Sequence, residues 1–369
     1  MLRVLFVFGT RPEAIKLAPV IGAMRELPDT EVRVAVTAQH REMLDQILEA
    51  FCIHTDYDLD LMRPGQSLLS TASRVLSGLE PVLTAEQPDW VLVQGDTTTT
   101  FCSAFAAFSQ HIKVAHVEAG LRTGDPQQPF PEEMNRVLVG RLADVHFAPT
   151  PRAAENLRAE LVPEDRIQVT GNTGIDAVLQ IREGLESGRL EGGELPPLDP
   201  ARKRIVVTAH RRESFGEPMA RITQAIARLA RREDVDIVFP VHLNPQVRKP
   251  VHEALGAIEN VHLIDPLSYV PFVDLMRQAY LLLTDSGGIQ EEAPSLGVPV
   301  LVLREKTERP EAVEAGTAEL VGSDPDKIEA RCAALLDDPE EHRRRSRIHN
   351  PFGDGRAAMR IAKFLRVVP

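Results

Sequence analysis

The segment 284–293, Thr-Asp-Ser-Gly-Gly-Ile-Gln-Glu-Glu-Ala, has the residue types of a phosphate-binding turn. It follows the apolar run 280–283, which is typical of a buried parallel strand, and precedes a helical pattern that ends at Gly297. Backbone N–H groups at such a strand-to-helix turn bind anions such as phosphate. The residues of the turn itself are Ser286, Gly287 and Gly288.

Glu292 lies about one and a half turns into the predicted helix. At that position its carboxylate can accept hydrogen bonds from two vicinal hydroxyls of a ribose. The alternative interpretation is a glycine-rich turn with solvated glutamates. This segment alone does not decide between the two, because short glycine motifs often occur by chance.

Two cations follow the first predicted strand. Residues 9–16, GTRPEAIK, predict a tight turn that opens a helix with a proline near its start. Arg11 and Lys16 can reach an anion from this turn, although a pair of solvated cations is the alternative. Cations at a helix N-terminus oppose the helix dipole, which favours a functional role. The segment is not a P-loop, because the spacing G-x-x-x-x-G-K-[ST] is missing.

Three carboxylates lie after predicted strands or at a helix start. Asp96 follows the third apolar run, where capping of the next helix is the alternative role. Glu118 ends the fourth run, and a carboxylate there must find a cation or stay partly exposed in a cleft. Glu132 opens a helix whose dipole favours a negative charge, and helix capping is again the alternative.

The second half of the chain places further polar residues after strands. His210, Arg211 and Arg212 follow its first strand, and His242 follows its second. A lone histidine is usually structural, but a histidine followed by two arginines at a strand end is typical of a phosphate site. Phe272 is a candidate for stacking on a base, with core packing as the alternative. Arg309 ends a later strand on the same side. The sequence has no H-E-x-x-H zinc motif and no G-x-S-x-G nucleophile motif.

Length and composition set the class of protein. The chain has 369 residues, of which 43% are hydrophobic, so it can bury two cores. It carries 42 basic against 54 acidic residues, a net charge of −12, which argues against binding to nucleic acid or an anionic membrane. The three cysteines, Cys52, Cys102 and Cys332, have unrelated spacings, and we expect all of them to pack in the core. Without a signal peptide or a long apolar run, we expect a cytoplasmic protein.

Short β-branched runs alternate with amphipathic segments of helix length along the chain. This alternation predicts an α/β protein with parallel sheets covered by helices on both faces. The Gly- and Pro-rich stretch 184–203 interrupts the pattern and predicts an exposed connection. We therefore expect two doubly wound, Rossmann-like domains that face a ligand cleft, namely residues 1–170 and 171–352. The predicted strands are 2–8, 32–37, 90–93, 114–117, 146–148, 167–170, 205–208, 236–239, 261–264, 280–284 and 298–303.

Taken together and in order, the motifs of this chain closely resemble those of the non-hydrolysing bacterial UDP-N-acetylglucosamine 2-epimerases. The resemblance covers nearly the whole chain and includes GTRPEAIK, TAQHREML, GDTTTT, HVEAGLRTGD, PFPEEMNR, TAHRRE, PVHLNP, TDSGGIQEEAPSLGVPVLVLR and TERPE. It implies a glycosyltransferase-B-like fold, a homodimer, and a last helix within 353–369 that packs back on the first domain. The implied reaction interconverts UDP-GlcNAc and UDP-ManNAc with no metal and no cofactor, supplying ManNAc-type sugars for cell-surface polysaccharide.

The resemblance also implies roles for individual residues. Asp96, Glu118 and Glu132 match the family's carboxylates, which handle protons while UDP leaves the sugar to give a 2-acetamidoglucal intermediate. His210 matches a catalytic position, and the matching residues for the diphosphate, ribose and uracil are Arg11, Lys16, Arg309, Ser286, Gly287, Gly288, Glu292 and Phe272.

A second, allosteric site for the substrate is known in many family members. The matching positions here are Gln39, Glu42, Gln66, Arg211 and His242. Gly65 stands where some activated members have arginine, and Glu42 where some have glutamine. Activation by UDP-GlcNAc is therefore a hypothesis for this chain.

Other functions share the same sequence features. A retaining glycosyltransferase of this fold would keep the phosphate site and need an acceptor pocket. A hydrolysing epimerase would release ManNAc and UDP, and a nucleotide-sugar sensor would bind without turnover. The paired carboxylates after the third and fourth strands favour epimerisation over the glycosyltransferase, and the full set of charged residues argues against a sensor.

Overall fold

The computed structural model describes residues 1–37, 41–61, 63 and 65–367, without the side chains of residues 41–43. The chain divides into two compact units. Unit 1 consists of Met1–Ala177 and Phe352–Pro369, and unit 2 of Val178–Pro351. Each is described separately below.

Unit 1 is built on a parallel sheet of seven strands in the order β3-β2-β1-β4-β5-β6-β7. Most of these strands are continuous apolar runs, which suit a sheet that helices cover on both faces. β1 pairs with β2 and β4 at the centre, and Gln94 of β4 pairs with Val117 of β5. The strands are β1 Leu2–Phe8, β2 Thr30–Val36, β3 Tyr57–Asp58, β4 Trp90–Gln94, β5 Lys113–Val117, β6 Val145–Ala148 and β7 Ile167–Val169.

The helices of unit 1 begin where the sequence supplies caps. Thr10 caps α1 and forms a capping box with Glu13, while Pro12 occupies the first turn, where its missing N–H costs nothing. The helices are α1 Arg11–Arg25, α2 Arg41–Ala50, α3 Leu68–Glu86, α4 Thr98–Ser109, α5 Glu132–Leu142, α6 Pro151–Ala159 and the C-terminal α15 Ala357–Val367; α7 Thr173–Glu186 runs from unit 1 into unit 2.

The C-terminal helix α15 belongs to unit 1 and packs on α1. Phe364 meets Phe147 of β6 edge to face, with ring centroids 5.7 Å apart. The carboxylate of Asp176 accepts hydrogen bonds from the backbone N–H groups of Ala357 at 3.2 Å and Ala358 at 2.9 Å. Asp176 therefore caps α15, although burial raises the pKa of its carboxyl to about 6.

Unit 2 is built on a parallel sheet of six strands in the order β10-β9-β8-β11-β12-β13. Its strands are β8 Lys203–Thr208, β9 Val235–Pro240, β10 Val261–Ile264, β11 Leu281–Thr284, β12 Val300–Val302 and β13 Ala318–Leu320. Its helices are α8 Glu217–Leu229, α9 Pro245–Leu255, α10 Tyr269–Arg277, α11 Gly287–Glu292, α12 Pro310–Ala315, α13 Pro325–Asp337 and α14 Pro339–Ser346. The apolar sides of β8, β9 and β11 form one core with α8, α9 and α13.

The predicted α/β class with two doubly wound parallel sheets is confirmed. The sequence missed β3 and β13, because strands of two and three residues leave no periodic signal. The expectation that all three cysteines are buried is wrong for Cys52, which is exposed. Burial raises the thiol pKa of Cys102 to about 11 and that of Cys332 to about 12. In the part of the chain that the structure describes, no helix is both long and apolar enough to cross a membrane.

The contact between Asp176 and α15 predicts the effect of a substitution. Asp176→Ala leaves the first N–H groups of α15 without the carboxylate that accepts their hydrogen bonds. The loss should destabilise α15 by about 1 kcal/mol. Amide hydrogen exchange in α15 should then be about fivefold faster.

A matched control is Asp338→Ala, because Asp338 caps α14 through the N–H groups of Glu340 and Glu341. This variant should speed exchange in α14 and leave α15 unchanged. Equal protection of α15 in the wild type and Asp176→Ala would contradict the capping role.

Candidate active site

A cavity of about 990 Å³ lies in unit 1. Its walls come from the turns after β1, β4 and β5, from the segment 60–71 and from the start of α5. Because the carboxyl ends of parallel strands meet at one edge of a sheet, residues far apart in the sequence line the same space. The predicted site residues that line this cavity are Lys16, Gln66, Asp96, Glu118 and Glu132.

Glu118 follows β5 directly, and three side chains hold its carboxylate. Lys16 Nζ lies 2.5 Å from Oε1 and 2.7 Å from Oε2. Asn172 Nδ2 donates to Oε1 at 3.0 Å, and Gln94 Nε2 donates to Oε2. The side chain of Glu118 is only 6% exposed. Of the two possibilities that the sequence left for this carboxylate, a nearby cation or partial exposure, the structure shows a cation, and that cation is Lys16.

The backbone of Glu118 has φ 61°, in the left-handed region that residues other than glycine rarely adopt. Such a conformation costs about 1–3 kcal/mol and persists only where the surrounding structure fixes it. Here the end of β5 and the four hydrogen bonds of the carboxylate fix it. Backbone strain of this kind clusters at functional sites.

Asp96 lies in the turn after β4 and its carboxylate pairs with Arg136 of α5. Asn135 Nδ2 donates to the Asp96 backbone carbonyl at 2.8 Å, so α5 holds this turn at two points. The alternative role of Asp96 as a helix cap is wrong, because Thr97 caps α4 by accepting a hydrogen bond from the Thr100 N–H.

Glu132 is the first residue of α5 and lines the cavity. Among the residues that the structure describes, none makes a hydrogen bond or ion pair with its carboxylate. Its neighbour Glu133 is buried and accepts from the backbone N–H groups of Thr123 and Gly124, each at 3.0 Å. Glu133 therefore has the structural role at this helix start, while Glu132 lines the cavity and has no partner among the described residues.

Glu13 is a site residue that the sequence analysis did not identify. Its carboxylate is buried and accepts from the N–H groups of Gly9 and Thr10 and from the hydroxyls of Thr97 and Thr100. Burial raises the pKa of this carboxyl above its ordinary value, although the hydrogen bonds oppose that rise. Glu13 fixes the turn after β1 against the start of α4. The capping-box spacing Thr10-x-x-Glu13 was the signal that could have shown it.

The other predicted residues of unit 1 lie as follows. Arg11 is the half-buried first residue of α1 and is not among the residues that line the cavity. Glu42 lies in α2, but its side chain is not described, and Gln39 lies outside the described residues. Gln66 and Gly65 line the cavity as part of the segment 60–71.

In unit 2, the turn after β11 has the predicted strand-to-helix geometry. Ser286 is the N-cap residue of α11, which continues as a 3₁₀ turn to Leu296 and ends at Gly297 in the left-handed conformation. Gly287 and Gly288 both have negative φ angles. A Cβ at Gly287 would lie 3.6 Å from Glu308 Oε2, and one at Gly288 would lie 3.8 Å from Glu292 Oε1, ordinary contact distances in both cases. Neither the backbone nor the packing of unit 2 therefore requires glycine here.

Three other predicted residues lie in or near this part of unit 2. Arg309 Nε donates to the buried carboxylate of Glu291, so the guanidinium already has an anionic partner. Glu292 is half-buried at the end of α11, one residue after the partner of Arg309. Phe272 lies in α10 and is also half-buried.

His210 and Arg211 follow β8. The rings of His210 and His242 stack with centroids 5.8 Å apart, and Arg211 Nη2 would lie 3.7 Å from a Cβ at Gly287. Asp285, which the sequence analysis did not assign, accepts from the backbone N–H groups of His210 and Arg211. The structure therefore brings together His210, Arg211, His242 and the glycine turn within unit 2.

No metal centre is present among the described residues, because no three or more His, Cys, Asp or Glu side chains cluster there as a metal ion requires.

Comparisons with known proteins find relatives that match nearly the whole chain. The family model for UDP-N-acetylglucosamine 2-epimerase matches residues 22–366. The UDP-N-acetylglucosamine 2-epimerase of Escherichia coli (strain K12) is 55% identical over 370 residues, which cover 99% of this chain and 98% of that protein. The crystal structure of the UDP-GlcNAc 2-epimerase from Neisseria meningitidis, bound to UDP-GlcNAc, is 49% identical with a TM-score of 0.89, covering 99% of this chain and 100% of that chain. A glycosyltransferase of kitacinnamycin, at 15% identity and a TM-score of 0.67, shares the fold alone.

Proposed function

The chain belongs to the UDP-N-acetylglucosamine 2-epimerase family, and we propose that it interconverts UDP-GlcNAc and UDP-ManNAc by inverting C2 of the sugar. The observation that carries this proposal is the set of three carboxylates around one cavity in unit 1, Asp96, Glu118 and Glu132. Family membership agrees with the resemblance found from the sequence motifs.

The reaction explains why several carboxylates are needed. The proton on C2 is barely acidic, because no carbonyl adjoins it. We propose that UDP leaves C1 as the C2 proton is removed, which gives a 2-acetamidoglucal intermediate, and that UDP then adds back with a proton delivered to the other face. Two faces need at least two proton-handling groups, and each contributes about 10²–10⁴-fold to the rate.

The contacts of the three carboxylates support different roles. Glu132 can take up a proton without breaking a bond to another described side chain. Asp96 and Glu118 each have a cation beside them, Arg136 and Lys16 respectively, which holds the carboxylate in place. We infer that Glu132 handles a proton on one face of the sugar and that Asp96 and Glu118, which their cations hold in place, act in proton transfer on the other face.

Unit 2 is proposed to hold the UDP part of the substrate. The glycines at 287 and 288 have no role in the packing of unit 2, which supports a turn kept open for the close approach of a phosphate. Ser286, His210, Arg309, Arg11 and Lys16 are proposed to stabilise the charge on the departing diphosphate. Glu292 is proposed to bind the ribose hydroxyls and Phe272 the uracil.

The expected homodimer and cytoplasmic location stay predictions. Helices α4 and α5, which pack on each other, expose Phe105, Phe108 and Leu138 to 44%, 56% and 40%. This apolar face is where we propose that a second copy packs. The supply of ManNAc-type sugars to a surface polysaccharide also stays a prediction.

Activation by the substrate at a second site is a further proposal. Gln66 supports it by lining the same cavity as the carboxylates, and Arg211 and His242 support it by their place beside His210. A trace of UDP-GlcNAc should then raise the initial rate with UDP-ManNAc as the substrate. Hyperbolic rates that UDP-GlcNAc does not change would contradict it.

The epimerase activity itself is tested by incubating the purified protein with UDP-GlcNAc alone in D₂O. Proton NMR should show deuterium entering C2 together with formation of UDP-ManNAc. Release of free ManNAc and UDP would instead indicate a hydrolase, and absence of exchange at C2 would contradict the proposal.

The carboxylate roles are tested by Asp96→Asn and Glu118→Gln. Each substitution should lower kcat by at least ~10²-fold, because it removes a group that acts in proton transfer, and should leave UDP affinity nearly unchanged. Asp144→Asn is a matched control, since the Asp144 carboxylate accepts a hydrogen bond from the Val114 N–H at the opposite, amino end of β5. Wild-type rates in either of the first two variants would refute the assigned roles.

A further inference from the structure

Asp285 is a fully buried carboxylate at the end of β11, beside the proposed phosphate turn. Its Oδ2 accepts three hydrogen bonds from the segment after β8. The donors are the backbone N–H groups of His210 and Arg211, each at 2.8 Å, and the hydroxyl of Ser214 at 2.9 Å. These bonds fix the backbone that carries His210.

The second oxygen of Asp285 has a different environment. Oδ1 is buried and accepts no hydrogen bond from the described residues, but Nδ1 of the His210 ring lies 3.4 Å away. The His210 side chain is 39% exposed, whereas that of Asp285 is 0% exposed. The His210 ring therefore has one nitrogen next to a buried negative charge, while much of the ring stays accessible to a ligand.

The other charged groups around His210 oppose its protonation. Burial lowers the pKa of His210, and the nearby Arg211 and His242 lower it further. Asp285 is the group that raises it. In unit 2, Asp285 thus supplies the negative charge that an imidazolium at position 210 needs.

We propose that Asp285 is a positioning residue for the epimerase reaction: its carboxylate keeps Nδ1 of His210 protonated, and its charge allows the imidazolium form when a diphosphate lies against the ring. Nε2 is then the ring nitrogen that donates to the ligand. This inference rests on the proposed function, and it assigns a role to a residue that does not itself touch the substrate.

The role fits the electron flow of the proposed elimination. As the bond between C1 and the β-phosphate oxygen breaks, its electron pair passes to that oxygen. The C2 proton passes to one of the proposed proton-handling carboxylates, and the electron pair of the C2–H bond forms the C1=C2 double bond of the intermediate. His210 donates a hydrogen bond through Nε2–H to the oxygen that gains charge, and no net proton leaves the imidazolium. Asp285 stabilises the imidazolium throughout the step.

The first test needs no variant. In the complex of the wild-type protein with UDP, nitrogen NMR of the histidine rings should show both ring nitrogens of His210 protonated at neutral pH. A neutral ring in that complex would overturn the proposal. Because the measurement uses UDP binding and not turnover, it stands apart from the D₂O test of the epimerase activity.

The second test is Asp285→Asn. The amide oxygen of asparagine can keep the three hydrogen bonds that Oδ2 accepts, while its NH₂ group faces Nδ1 of His210. His210 should then be neutral with its proton on Nε2, and kcat should fall by ~10²-fold. The alkaline limb of the pH profile of kcat should move down by about one pH unit, because the loss of the negative neighbour lowers the pKa of His210.

Asp236→Asn is the matched control. Asp236 is also a buried carboxylate of unit 2 and lies 3.6 Å from the ring of His262, but it belongs to the amino end of β9, away from the turns. The Asp236→Asn variant should lose about as much free energy of unfolding as Asp285→Asn does. Its kcat should stay within about twofold of the wild type, and its pH profile should not move. If Asp285→Asn behaves like this control, the carboxylate has only a structural role and the proposal fails.

Discussion

The ion pair between Lys16 and Glu118 is the contact on which the proposed site of unit 1 depends. It joins the second turn of α1 to the end of β5, across 102 positions of the sequence. A carboxylate that is 6% exposed needs a cation, because removing one partner of a buried pair leaves an uncompensated charge that costs about 3–5 kcal/mol. The pair also holds a residue whose backbone is in a strained conformation. One contact thus fixes the position, charge and backbone geometry of a reacting group.

Unit 2 also has a buried carboxylate that follows a strand and binds groups of a neighbouring turn. Asp285, at the end of β11, satisfies three donors of the neighbouring turn with one oxygen and faces His210 with the other. Both buried carboxylates follow an inner strand of a parallel sheet, where neighbouring strands supply donors from turns distant in the sequence. Such rigid placement reduces the reorganisation that a reaction needs, which is the main way in which active sites stabilise developing charge.

Most strands were predictable from the sequence, because parallel strands buried on both faces are continuous apolar runs. Most of the predicted strand boundaries fall within a residue or two of the observed ones. Residues such as Asp96 and Glu118 were predictable because active sites of these sheets lie just after strand ends. Their partners were not, since no local pattern connects Arg136 with Asp96 or Lys16 with Glu118. The same lack of long-range information explains why Asp285 was missed, and why Cys52, in an apolar segment, was wrongly expected to be buried. Glu13, in contrast, had a local signal in its capping-box spacing from Thr10.

The carboxylates of unit 1 are proposed to surround the sugar carbon that is inverted. A crystal structure of the Glu118→Gln variant with UDP-GlcNAc tests this proposal most directly, because slow turnover preserves the bound substrate. We predict that C2 of the sugar lies within about 4 Å of the side chains at two or more of positions 96, 118 and 132. These side chains should lie on opposite faces of the sugar ring. A sugar bound elsewhere, with all three side chains remote from C2, would contradict it.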